Sequence, residues 1–174
     1  MRFIAAATYT LDSKARIALP AVYRNECYEG AQGKFVLTVG DECLLVYSVT
    51  EWERILEEET SPALLGMDEM MFARYERFLD KYTETVNTDP QGRIHIPQVL
   101  LEFAKLGREV LITSKRNGLE IWNQAEHDKF IGPVEDFKAA YRRRLFNKRP
   151  RPSDDKPTVT QDTSDSSANR VDED

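Results

Sequence analysis

Asp12-Ser13-Lys14-Ala15-Arg16-Ile17-Ala18-Leu19-Pro20 returns later in the chain, at the same internal spacing, as Asp89-Pro90-Gln91-Gly92-Arg93-Ile94-His95-Ile96-Pro97. Each copy opens on a polar turn, for which Asp is suited because its side chain can bond the backbone ahead of it. Ile17 and Leu19, or Ile94 and Ile96, then alternate with Arg16 and Ala18, or Arg93 and His95. That period of two is the pattern of a half-buried strand. It turns the aliphatic side chains inward and presents Arg16 and Arg93 outward, beside the turn. Proline then ends each strand, since it cannot donate to a ladder, and it suits the first turn of a helix. Helices are expected over 21–28 and 98–106.

Outward from these two elements the order of segments repeats as well. Phe35–Val39 and Cys43–Tyr47 read as a hairpin about Gly40-Asp41-Glu42, and Val110–Thr113 and Leu119–Trp122 read as another about Asn117-Gly118. Residues 2–11 read as a strand leading into the first Asp turn. Thr50-Glu51-Trp52-Glu53 has capping-box spacing and predicts a helix running to about Glu59, and Glu126–Phe130 stands in the matching place of the second copy. A repeat of this extent is a tandem duplication. The predicted organisation is a first repeat over 1–60, a connecting helix within 61–82, a second repeat over 83–131, and a basic helix followed by an acidic tail over 132–174. The fold class is mixed α/β and β-rich. Halves of about 50 to 60 residues bury too little surface to be stable alone, so each is expected to share core with the other or with neighbouring subunits. Met71, Phe72, Tyr75, Phe78, Leu79 and Tyr82 make a helical stripe, expected to pack on the repeats as core, with a subunit contact as the alternative.

The formal charge of −6 is unevenly spread. From Lys138 to Arg151 there are basic residues and no acid, whereas the segment after Ser153 is rich in Asp; the body before them is strongly acidic. Such a body does not bind nucleic acid by bulk charge, so binding must come from locally concentrated basic groups. The tail beyond Asn147 is Pro, Ser, Thr and Asp with few large apolar residues and is expected to be disordered. No apolar run is long enough for a membrane span and no secretory pattern opens the chain, which predicts a soluble cytoplasmic protein. Cys27 and Cys43 are expected to be buried reduced thiols. Two histidines give a metal site or a serine triad no support, and no phosphate loop, metal-type cysteine pair or nucleophile elbow occurs. His127 stands between Glu126 and Asp128, but adjacent residues on a helix point apart. No catalytic residue, cofactor, metal or small-molecule substrate is expected, and the protein is not read as an enzyme.

Arg16 and Arg93 carry the chemistry. An Arg held on a rigid strand beside a protruding turn can fork to a phosphate or to guanine edges. Lys14 and Gln91 occupy matched positions within the turns and point with them. The competing reading is that each Arg pairs with the Asp four residues before it, Asp12 or Asp89, and ties the turn. Both roles coexist when the Asp aims the Arg.

The two Asp-x-x-x-Arg elements, the Leu44-Leu45-Val46-Tyr47 and Glu120-Ile121-Trp122 strands and the Trp52 helix together resemble the MraZ family of bacterial transcriptional regulators over roughly residues 1–131. The resemblance implies two swapped-hairpin, AbrB- or SpoVT-like β-barrel halves with short helices. It also implies assembly into a homo-oligomeric ring. Its ligand would be double-stranded DNA on the nucleoid, at spaced direct repeats upstream of the division and cell wall gene cluster. Asp12, Arg16, Asp89 and Arg93 match the family's motif, and Lys14 and Arg24 match family positions. One departure stands out: Ala15 occupies the place that Gly92 holds in the second copy. Because Ala resists positive φ at a cost on the order of 1 kcal/mol, the first turn is expected to be reshaped and its DNA contact to be the weaker of the two. The rival reading is an antitoxin-like or protein-interaction module that uses the acidic tail.

Overall fold

The computed structural model describes residues 6–25 and 33–146. Residues 2–5 of the predicted first strand, Cys27, part of the first helix after Pro20, and the tail from residue 147 lie outside the described residues. The described residues fall into two units, one up to Gly132 and one from Pro133 onward.

The first unit is built on a six-stranded antiparallel sheet in the order β1-β7-β8-β4-β3-β5. Its strands are β1 (Ala7–Thr10), β3 (Lys34–Val39), β4 (Cys43–Ser48), β5 (Glu84–Asn87), β7 (Glu109–Lys115) and β8 (Gly118–Trp122). The order reads the same from either edge once the repeats are exchanged, so a pseudo-twofold axis runs between β4 and β8. The hairpins β3–β4 and β7–β8 are those the sequence predicts. The first strand of each repeat pairs with the hairpin of the other: β1 with β7 and β5 with β3. β5 escapes sequence reasoning because only Val86 of its four residues is buried, which leaves no alternation to read.

A second, two-stranded sheet joins the duplicated motifs themselves. β2 (Arg16–Ala18) and β6 (Arg93–His95) run antiparallel, with Ile17 opposite Ile94 at the centre and Arg16 opposite His95. Ile17, Leu19, Ile94 and Ile96 are almost fully buried and join Leu37, Leu44, Ile112, Leu119 and Ile121 in a single core. Burying each such side chain contributes roughly 1.5–3 kcal/mol. Neither motif strand has this core to itself, since its floor comes from both repeats. Residues 21–25 belong to helix α1, whose Tyr23 donates its hydroxyl to Val46 O at 2.9 Å, and α5 (Gln98–Phe103) places Leu100 in the same core.

Two helical expectations are corrected. Helix α2 (Val49–Glu59) begins before the predicted cap: Ser48 is the N-cap, its hydroxyl accepting from Glu51 N at 3.2 Å, while Thr50 lies inside the helix. Both residues are three or fewer positions from Glu51, and the end of β4 fixes which is outside the helix. The α4 stripe (Glu69–Tyr82) does not become core: no residue of α4 is buried, and Met71 and Phe78 are 56% and 40% exposed. Phe72, Tyr75 and Leu79 are half-buried, and the last turn docks on the core through Tyr82 against Phe103 and a Thr38–Thr83 hydroxyl hydrogen bond of 2.9 Å. Pro62–Leu65 forms a short α3, and α6 (Gln124–Ile131) ends the unit at Gly132. In α6, Glu126 accepts from Lys129, Asp128 accepts from Gln124, and the His127 ring meets Trp122 edge-on with its Nδ1 3.7 Å from Asp128 Oδ1. Cys43 is a buried free thiol whose pKa burial pushes up to about 12. No described helix is long and apolar enough to cross a membrane.

In the second unit the predicted helix spans Val134–Phe146 as α7, with Val134, Phe137 and Tyr141 exposed. The basic run from Lys138 to Arg151 falls only partly within the described residues, and the acidic segment after it falls outside them.

Candidate nucleic-acid interface

Each Asp turn closes on itself through the same set of bonds. Asp12 Oδ1 accepts from the backbone of Lys14 at 2.9 Å and of Arg16 at 3.0 Å, and Asp12 N donates to Arg16 O at 2.9 Å. In the second copy Asp89 Oδ1 accepts from Gln91 N at 3.0 Å and Arg93 N at 2.9 Å, and Asp89 N donates to Arg93 O at 2.8 Å. The other carboxylate oxygen grips the guanidinium from one edge. Arg16 Nε and Nη2 lie 2.8 and 2.7 Å from Asp12 Oδ2, and Arg93 Nε and Nη2 both lie 2.7 Å from Asp89 Oδ2.

Pairing of β2 with β6 brings these turns to opposite ends of one short ribbon, and their charges interlock. Arg93 Nη1 reaches Asp12 Oδ2 at 3.5 Å, and Arg16 Nη1 reaches Asp89 Oδ2 at 3.7 Å. The hydrogen bond from the Arg16 side chain is the main reason the Asp12 carboxyl is held down at about 2, and Arg93 lowers Asp89 in the same way. The Asp–Arg tie that spacing suggests is therefore formed. It engages Nε and Nη2 of each guanidinium with the Asp of its own turn and turns Nη1 toward the Asp of the other, leaving the arginine side chains 31% and 28% exposed. An Arg so braced is preorganised to fork its Nη donors onto a guanine edge or a phosphate.

The expected reshaping of the first turn does not occur. Ala15 takes φ 55°, close to the 74° of Gly92, and Ala15 N donates to Asp12 O as Gly92 N does to Asp89 O. The many bonds to Asp12 and the pairing of Ile96 N with Ala15 O outweigh the conformational cost at one residue. The ground for ranking the first contact below the second is thereby removed.

Of the other predicted residues, Lys14 is exposed at the tip of its turn and forms no ion pair among the described residues, and Gln91 accepts from Arg93 Nη2 at 2.6 Å. Arg24 enters from α1, donating Nε to Leu19 O at 3.0 Å. Sequence reasoning assigned no role to His95, although the alternation already placed it outward; it stands directly across from Arg16. Arg108 was also missed. It is exposed beside the first turn, where Leu11 N donates to its carbonyl at 2.8 Å, and no local signal could join residues so far apart in the chain.

The chain matches the family model described as "MraZ protein, putative antitoxin-like" over residues 2–74 and 81–147. The chain belongs to the MraZ family. Relatives named transcriptional regulator MraZ include one from Thioalkalivibrio sulfidiphilus, 37% identical over 70% of this chain and 80% of the relative. Another, from Halothermothrix orenii, is 36% identical over 74% of this chain and 85% of its own length. The Haemophilus influenzae relative is 36% identical over 79% of this chain and 94% of its own.

Proposed function

We propose that this chain is a sequence-specific, double-stranded DNA-binding transcriptional regulator with no enzymatic activity, and that the β2–β6 ribbon is its reading head. A two-stranded antiparallel ribbon fits the major groove, and this one presents Arg16, Ala18, Arg93 and His95 on its outward face. The observation that carries the reading is the four-membered Asp12–Arg16–Asp89–Arg93 cluster, which aims both guanidinium groups outward from a buried aliphatic floor. Arg16 and Arg93 contact bases, Lys14, Gln91 and Arg24 contact DNA around them, and Asp12 and Asp89 hold the arginines. The repeats over 1–60 and 83–131, joined through 61–82, thus make one reading head per chain rather than two. That the relatives are named transcriptional regulators supports the regulatory role.

One ribbon covers little DNA, so affinity must come from several heads on spaced sites. The exposed apolar stripe of α4, with a groove of about 700 Å³ shared with α2 and lined by Trp52, Leu56, Phe72 and Leu79, supplies a surface for a homo-oligomeric ring. Its place would be the cytoplasm, on the nucleoid, at spaced direct repeats upstream of the division and cell wall genes. A gel shift with duplex from immediately upstream of its own reading frame tests this: Arg16→Ala and Arg93→Ala should abolish the shift that the unaltered chain gives. The interaction-module reading with the acidic tail is separated by truncation, since loss of specific DNA binding on removing 132–174 would favour it.

A further inference from the structure

The pseudo-twofold axis relates the two ends of the ribbon, and they carry different side chains at one place that matters. The fourth residue after Pro20 is Arg24, and the fourth after Pro97 is Leu101. Arg24 lies over the second turn: a Cβ built on Gly92 would come within 2.7 Å of Arg24 Nε and 2.5 Å of its Cζ, closer than real Cβ atoms approach. Glycine at 92 is thus what lets the guanidinium rest flat on the turn backbone. At the other end Ala15 already carries a Cβ on a turn of the same geometry, and Leu101 packs toward the core beside it. The presence of a Cβ and the absence of the Arg go together.

Resting on the DNA-binding reading above, we propose that Arg24 is a backbone-phosphate clamp that exists at only one end of the ribbon, with Gly92 as its positioning residue. Its Nε is committed to Leu19 O, and its guanidinium, reached from α1, lies against Gly92 of the second turn beside Asp89 and Pro90. Its remaining Nη donors therefore meet the rim of the groove, where phosphates lie, while Arg16 and Arg93 face the base edges. The protein consequently grips duplex DNA unequally about its own axis, with Arg24 and Arg93 at one end and Lys14 and Arg16 at the other.

The test is the salt dependence of binding, by fluorescence anisotropy, of the full chain and its variants to upstream duplex and to random duplex of equal length. Arg24→Ala should weaken binding to both duplexes and lower the slope of log K against log salt by about 0.9, the signature of one lost phosphate contact. Gly92→Ala should reproduce that change, and the double variant should be no worse than Arg24→Ala alone. Ala15 demonstrates that an Ala can hold this turn position at positive φ, and because Gly92→Ala carries a conformational cost on the order of 1 kcal/mol, Arg24→Ala, which leaves the turn residues unchanged, is the primary test of the clamp. Ala15→Gly with Leu101→Arg should install a second clamp and raise the slope by about 0.9, whereas Leu101→Arg with Ala15 kept should not. An unchanged slope in Arg24→Ala, or additive losses in the double variant, overturns the clamp while leaving the DNA reading intact. An unaltered chain that binds neither duplex overturns both.

Discussion

Asp12 and Asp89 each serve two arginines, and the consequence is energetic coupling between the two motifs. Replacing Arg16 or Arg93 by Ala should each cost ~1 to 3 kcal/mol of specific binding per site. Because each lost guanidinium also releases a carboxylate that braced the other, the double replacement should cost measurably less or more than the sum, by 0.5 kcal/mol or above in order of magnitude. Additive losses in a titration at fixed salt would show the shared contacts to be idle. Protonation gives a second handle. The Asp12 carboxyl is held at about 2 against an ordinary 3.8, chiefly by the Arg16 side chain. A depressed carboxylate stabilises the fold fully above its unfolded pKa and loses that contribution as pH falls through its folded one. The turn should thus stay braced at neutral pH and loosen between about pH 4 and pH 2. Carboxyl-carbon NMR should find Asp12 titrating near 2, and a titration at the ordinary value would mean the bond to Arg16 is not kept in solution.

At the scale of elements, the cap of α2 separates a local signal from its tertiary arbiter. Ser48 and Thr50 both suit an N-cap and both have a Glu three residues on, Glu51 and Glu53, but β4 extends through Ser48 and pairs it with Phe35. The helix must therefore start at Val49, leaving Ser48 with extended backbone and its hydroxyl placed to accept from Glu51 N. Ser48→Ala should lower stability by about 1 kcal/mol in urea denaturation, whereas Thr50→Ala, inside the helix, should change it by under 0.5 kcal/mol. Equal effects would return the cap to Thr50. The motif strands themselves are too short to persist alone. Three residues each, they exist because Ile17 and Ile94 close over a floor supplied by both repeats.

On the scale of the whole molecule, the strand exchange ties the described residues of the two repeats into one unit, while α4 leaves apolar surface that this unit does not cover. Met71→Glu and Phe78→Glu should shift the protein to smaller species in sedimentation velocity while each chain stays folded by circular dichroism, since neither side chain is buried in the chain. If the unaltered protein already sediments as a monomer at micromolar concentration, the ring and its avidity are rejected.

The duplicated motif, its inward Ile and Leu, both hairpins, α7 and the Asp–Arg tie were all legible in the sequence. Each is set by short-range spacing: a period of two against one core face, a turn that Asp can bond, an Arg four residues on. Tertiary structure alone decided that β2 pairs with β6, so that two motifs become one ribbon with interlocked charges, because pairing depends on which strands the shared core brings together. It decided that Ala15 accepts positive φ, because the bonds around Asp12 outweigh a local preference. It also decided that α4 stays exposed and that Arg24 finds room over Gly92 while Leu101 stands beside Ala15, since a periodic stripe records amphipathicity without naming its partner, and the fit of a side chain over a turn depends on atoms distant in sequence.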